Sequence, residues 1–176
     1  AGTNALTGVL NAWQDGIPCV FISGQNKLNE TSNFTGLPLR TFGQQEADII
    51  PIVKSITKYA VMIKDQNKIA YELDKALFLA QEGRKGPVWI DIPLDVQAAE
   101  IEPDNQVSYA PMLDKFNCTI DFKQLASDLS KAKRPILLVG NGVRLADAIP
   151  EFNEFIEKTG IPVLTTWKTV DLLDEN

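Results

Sequence analysis

Any chemistry in this chain has to come from carboxylates, amides and a few glycine turns. Its 176 residues include no histidine and two cysteines, Cys19 and Cys118. That excludes Ser-His and Cys-His nucleophile systems and most zinc sites within the chain. Four places stand out. Gln45-Glu46 closes a polar, turn-rich stretch, residues 25–46, that follows an apolar run at 17–24. A connection that long in a compact domain is functional or disordered, and open α/β sheets bind ligands at the carboxyl ends of their strands. Glu46 would sit at a helix start, where the positive end of the dipole favours a carboxylate. Asp91 is the one polar residue in the apolar run 88–92, and a buried carboxylate satisfied by backbone donors is its expected state. Asn4, or Thr3, stands where a helix would be capped. Gly140-Asn141-Gly142 is a lone Gly-x-Gly, a weak signal because any strand-to-helix turn uses glycine.

Positioning these residues requires alternating helices and strands. Leu6, Val9, Leu10 and Trp13 recur at three- and four-residue spacing, which predicts a helix over 1–16 with Gly16 as its stop. Residues 17–24 read as a strand buried on both faces. After the long polar stretch come a helix over 47–57, a strand over 59–63, and a helix over 67–82 stopped by Gly83. Lys58-Tyr59 marks a structural join before the second strand. Gly86-Pro87 then turns the chain into a strand at 88–92, and Pro93 ends its pairing by lacking a ladder donor. The run VWIDI, apolar except at Asp91, is what a parallel-sheet strand covered on both sides looks like. Residues 98–120 carry two prolines and no sustained period, which reads as an interdomain linker. Helix 121–134, a buried strand from 135 running into the glycine turn, helix 146–160 and strand 161–167 begin a second alternation.

The expected fold class is α/β, with parallel sheets flanked by helices in parts of two domains: 1–97, linker 98–120, and 121–176. No strand precedes the first helix and only two strands follow the linker, so the chain reads as clipped at both ends. Hydrophobic content of 44% is ordinary globular material, and a net charge of −6 argues against a nucleic-acid surface. No apolar run reaches membrane-spanning length and no signal peptide opens the chain. With two cysteines far apart in sequence, a reduced, cytoplasmic setting is expected.

Three blocks carry a family resemblance. GTNALTGVLNAWQDGIPCVFISGQ, GQQEADIIPIVKSITKYAV and GRKGPVWIDIPLDVQ, in this order and spacing, resemble the pyrimidine-binding domain of thiamine-diphosphate-dependent enzymes, acetolactate synthase-like members above all. PILLVGNGVR followed by IPVLTTW is similar to the start of that family's central domain. The resemblance covers nearly the whole chain outside the linker.

It implies a 2-keto acid decarboxylase or carboligase that uses thiamine diphosphate and Mg2+, working as a homodimer or homotetramer. In the family, a glutamate upstream of Ala1 activates the cofactor and the diphosphate and magnesium motif lies beyond Asn176. The chain alone is therefore expected to be inactive and to hold no metal. Asn4 matches the asparagine of the family's Gly-Pro-Gly-x-Thr-Asn turn beside the cofactor. Gln45 matches the glutamine of its Gln-Glu pair, a hydrogen-bond donor to substrate or intermediate. FAD would approach the Gly140–Gly142 turn in flavin-binding members, and a domain without FAD is the expectation here. Two departures put acetolactate formation itself in doubt. Gln44 stands where synthases carry phenylalanine, and Leu94 where they carry lysine. A family decarboxylase that forms no acetolactate, or a non-catalytic interaction or scaffold piece, stays open as an alternative.

Overall fold

The computed structural model describes residues 2–111 and 119–173. Cys118 and part of the expected linker lie outside the described residues. The chain divides into two compact units, residues 1–112 and 113–176.

The first unit opens with a 3-10 turn, Gly2–Ala5, that runs into helix α1, Leu6–Asp15. The helix is shorter than its spacing predicts, and its N-cap position is Ala5 with no side-chain cap. Neither Thr3 nor Asn4 is the cap, because the turn ahead of the helix already continues its backbone. Gly16 ends the helix as expected, in the left-handed conformation at φ 66°, and its N–H donates to the carbonyls of Ala12 and Trp13. Strand β1, Val20–Gln25, follows. Helix α2, Ser32–Thr35, forms one turn inside the long polar stretch. Helix α3, Ile49–Val53, continues as a 3-10 turn over Lys54–Ile56 and leads to strand β2, Tyr59–Met62. Asp65 caps the turn before helix α4, Ile69–Gln81, by accepting from Asn67 N. Strand β3, Val88–Pro93, and the short helix α5, Leu94–Gln97, complete the unit's main elements. Beyond them, Tyr109 packs edge-on against Tyr71 at 5.4 Å, bringing part of the residues 98–111 back onto α4.

The three strands are parallel in the order β1-β3-β2, so the chain crosses to one edge and returns to the middle. Alternation along β3 then builds two cores. Val88 and Ile90 face α4 and α5 with Ile63, Ala76, Ala80 and Val96. Trp89 faces α1 and α3 with Val9, Ile49 and Val53, its ring stacked on Phe21 at 5.6 Å. Of the three strands, β2 is half-buried and β3 is the one buried on both faces. β1 was expected to be as well, but it flanks β3 and leaves Ile22 61% exposed.

In the second unit, Asp121 caps helix α6, Phe122–Lys131, by accepting from Gln124 N at 2.9 Å. Strand β4, Leu137–Val139, leads into the turn-like helix α7, Gly142–Leu145. Helix α8, Ile149–Thr159, ends at Gly160 in the left-handed conformation, and strand β5, Val163–Thr165, pairs parallel with β4. The strand expected to be buried from residue 135 is three residues long and covered on one face. Val139 is buried, whereas Leu138 and Leu164 point outward. No helix among the described residues is long and apolar enough to cross a membrane.

Candidate functional site

Parallel pairing puts the carboxyl ends of β1 and β3 side by side, with Ser23 opposite Asp91 and Gln25 opposite Pro93. Ser23 and Gln25 are two residues apart and share a face. Both turn toward Asp91. The Ser23 hydroxyl donates to Asp91 Oδ1 at 2.5 Å and the Gln25 amide to Oδ2 at 3.2 Å. Trp89 Nε1 in turn donates to Ser23 Oγ at 2.8 Å. Asp91 is 1% exposed, and its donors are side chains rather than the backbone groups expected from sequence. Burial, with the charge of Asp48, pushes its carboxyl above the usual range against the pull of the Ser23 and Gln25 bonds. The polar pattern at the end of β1 was visible in the sequence, since Ser23 and Gln25 break an apolar strand at a spacing of two.

The Gln25 amide also donates to Ala47 O at 2.8 Å, while its oxygen accepts from Asn26 N at 3.0 Å. One side chain thus ties the start of the 25–46 stretch to its end. Glu46 closes the stretch from inside. It is buried, with one carboxylate oxygen accepting from Ser32 N (2.6 Å) and Ser32 Oγ (2.7 Å). The other accepts from Phe42 N (2.7 Å) and Gly43 N (3.2 Å). Burial alone would raise its pKa. The bonds from Ser32, Phe42 and Gly43 outweigh that and hold the carboxyl below its ordinary value. The helix-dipole role expected for Glu46 does not arise, because α3 begins only at Ile49. Gly43 is required by close approach: a Cβ there would lie 2.5 Å from both Asn26 Nδ2 and Glu30 O. Asp95 fastens the beginning of the stretch from outside, accepting from Leu28 N at 3.1 and 3.2 Å. The long polar stretch is therefore a folded loop held by buried and tertiary hydrogen bonds.

Gln45 rides on this frame. Its backbone takes φ 55°, unusual for a residue other than glycine, asparagine or aspartate, and its side chain is exposed. It lines a cleft of about 90 Å³ at the carboxyl edge, whose wall includes Gly2, Thr3, Gln25, Ile49 and Asp91. Asn4 belongs to the same 3-10 turn as Gly2 and Thr3 but is exposed and does not line that cleft. Gln44 is exposed, its carbonyl accepting from Asn26 Nδ2 at 3.1 Å. Leu94 opens α5 and is 53% exposed. In the second unit the Gly140–Gly142 turn is not dictated by packing: a Cβ at Gly142 meets no atom within 4 Å, and one at Gly140 meets only Thr166, at 3.8 Å and beyond.

Comparison with known proteins bears on both units. Residues 122–176 match the family model described as thiamine pyrophosphate enzyme, central domain. The acetolactate synthase large subunit of Corynebacterium glutamicum is 38% identical over 99% of this chain and 27% of its own length. Acetolactate synthase 2, chloroplastic, of Nicotiana tabacum is 34% identical over 93% of this chain and 24% of its own. Glyoxylate carboligase of Escherichia coli O157:H7 is 33% identical over 94% of this chain and 27% of its own. The chain spans about a quarter of the length of these curated relatives. These matches reach across both units, and with them the chain belongs to the thiamine pyrophosphate-dependent enzymes of acetolactate synthase-like type.

Proposed function

We propose that the protein to which this chain belongs is a thiamine diphosphate-dependent 2-keto acid carboligase or decarboxylase in which Gln45 contacts the reacting substrate. The observation that carries this reading is Gln45 itself: an exposed amide at a left-handed backbone position, braced by buried Glu46 and facing a cleft at the carboxyl edge of a parallel sheet. Bound thiamine diphosphate supplies nucleophilic attack on a keto carbon and a sink for the electrons left when carbon dioxide departs.

The residues present fit one end of that cofactor. Gly2 and Thr3 of the Gly2–Ala5 turn line the cleft, and the exposed Asn4 of the same turn offers an amide donor and acceptor to the nitrogens of an aminopyrimidine, which leaves Gln45 to the substrate. The diphosphate end does not fit here. Among the described residues no group of three or more His, Cys, Asp or Glu side chains could hold a metal ion. We assign diphosphate and Mg2+ to parts of the longer relatives that this chain does not span. Flavin is not invoked. The same reading has the enzyme work as a homodimer or homotetramer in the cytoplasm.

This chain's own residues would orient substrate rather than move protons. The Gln45 N–H donates to a keto or carboxylate oxygen. Asp91 is engaged by Ser23 and Gln25 and keeps the floor of the cleft in shape. Leu94 adds apolar surface where a lysine would add a cation. Losing one charge-assisted contact costs about 1.5–3 kcal/mol, so condensation of two pyruvates should be poor and another donor or acceptor preferred. The glyoxylate carboligase relative is compatible with that wider choice.

Gln45→Asn tests the role of the amide, because asparagine tolerates the left-handed backbone but is one methylene shorter. Expected is a roughly ten- to hundred-fold fall in kcat/KM with the best 2-keto acid at unchanged melting temperature. Undiminished kcat/KM refutes the assignment.

A further inference from the structure

The first unit has a second, larger cleft at the opposite edge of its sheet. β2 and β3 start at Tyr59 and Val88, and the segments just before them are stitched together where Lys58 N donates to Pro87 O at 2.8 Å. Between these segments and the ends of α1 and α4 lies a cleft of about 560 Å³, lined by Trp13, Gln14, Lys58, Glu82, Arg84 and Lys85. That volume falls within the range of roughly 300–1,000 Å³ typical of small-molecule sites. Its lining carries three cations and one carboxylate, in a chain whose net charge is −6.

Gly86 is buried beneath the Lys58 stem. A Cβ at Gly86 would come within 3.2 Å of Lys58 Cγ and Cδ and 3.8 Å of Trp13 Cε3, so the lysine stem and the indole both pack where glycine has no side chain. The Lys58 ammonium donates to Glu82 O, which fixes its position and leaves further donors on the same nitrogen. Burial lowers the Lys58 pKa and the Glu82 carboxylate only partly restores it, so a second anion would stabilise the charged form. Trp13 is 39% exposed, a large apolar surface beside those cations.

We propose that this cleft binds a nucleotide-like anion, with a flat heteroaromatic ring against Trp13 and its phosphate group on Lys58 and Arg84. A purely apolar ligand would leave the remaining Lys58 donors unused. A small inorganic anion would use neither the indole nor most of the volume. Aromatic surface stacks on any flat ring, while guanidinium and ammonium donors hold phosphate. The six residues of β3 separate the two edges by about 20 Å, so a ligand here would not touch a substrate beside Gln45. It would bind independently of the reaction proposed above.

Isothermal titration of the protein with ADP tests the site, with adenosine and inorganic pyrophosphate as separate arms. Expected is saturable ADP binding tighter than about 1 mM, weakened roughly tenfold or more by Arg84→Ser and by Trp13→Leu. Adenosine and pyrophosphate alone should each bind at least tenfold more weakly than ADP. Arg84→Ser should leave turnover of 2-keto acids unchanged, which separates this site from the carboxyl-edge site. No saturable ADP binding, or ADP binding undiminished in both variants, overturns the proposal. Pyrophosphate binding as tight as ADP overturns the nucleotide assignment.

Discussion

Glu46 and Asp91 are two buried carboxylates with opposite consequences for stability. Four hydrogen bonds hold Glu46 below its ordinary pKa. A depressed native value means that its contribution is fully present above the unfolded carboxylate value, about 4.3 for glutamate. It drains away as pH falls through the lowered native value. Asp91 has a raised native value, so its contribution is present at low pH and is lost as pH rises through that value. Glu46→Gln replaces one acceptor oxygen with a donor facing two N–H groups or the Ser32 pair. Urea denaturation at pH 7 should show a loss of roughly 2–3 kcal/mol, and the variant's stability should fall less steeply in acid than the wild type's. Equal acid sensitivity would show that Glu46 is not the group responsible. Ser23→Ala should cost a similar amount, because it strands both Trp89 Nε1 and Asp91 Oδ1 in the core. An unchanged denaturation midpoint would contradict that. Sequence drew attention to Asp91 and Glu46, both of which the structure buries. It assigned Asp91 and Glu46 the wrong partners, because Ser23–Asp91 and Ser32–Glu46 are contacts between residues far apart in the chain.

Among the elements, the 25–46 loop is where periodicity was least informative. Helical and strand spacing made α4 and β3 readable within a residue or two, since each is an amphipathic or apolar run closed by glycine or proline. A loop held by Leu28–Asp95 and Asn26–Gln44 contacts leaves no such trace. The doubly covered strands were over-read for a related reason: β-branched, apolar sequence is the same in a central strand and in its neighbours, and only topology decides which is covered. Gly43 gives the loop its most specific test. A methyl group 2.5 Å from Asn26 Nδ2 and Glu30 O cannot be absorbed by one rotamer change, because Glu30 O is backbone. Gly43→Ala should open the loop, raising amide exchange across residues 26–46 while β3 stays protected. If the loop is the support for Gln45, turnover should fall with it. Wild-type exchange in the variant would mean the close approach does not restrain the loop.

Across the whole molecule, the resemblance in the three sequence blocks and the family match over residues 122–176 fall on both units. The family was legible because those blocks keep their order and spacing. The particular reaction was not, because under the proposed function it turns on a few side chains, such as Gln44 and Leu94, that the order and spacing of the blocks do not fix. The most direct measurement is product analysis by the full-length protein given thiamine diphosphate, magnesium and a panel of 2-keto acids that includes pyruvate. The expectation is carbon dioxide release with at least one 2-keto acid, and acetolactate formation from pyruvate alone far below 10 s⁻¹, about the median for a working enzyme. Acetolactate at about that rate, or no turnover of any 2-keto acid by the cofactor-loaded protein, would contradict it.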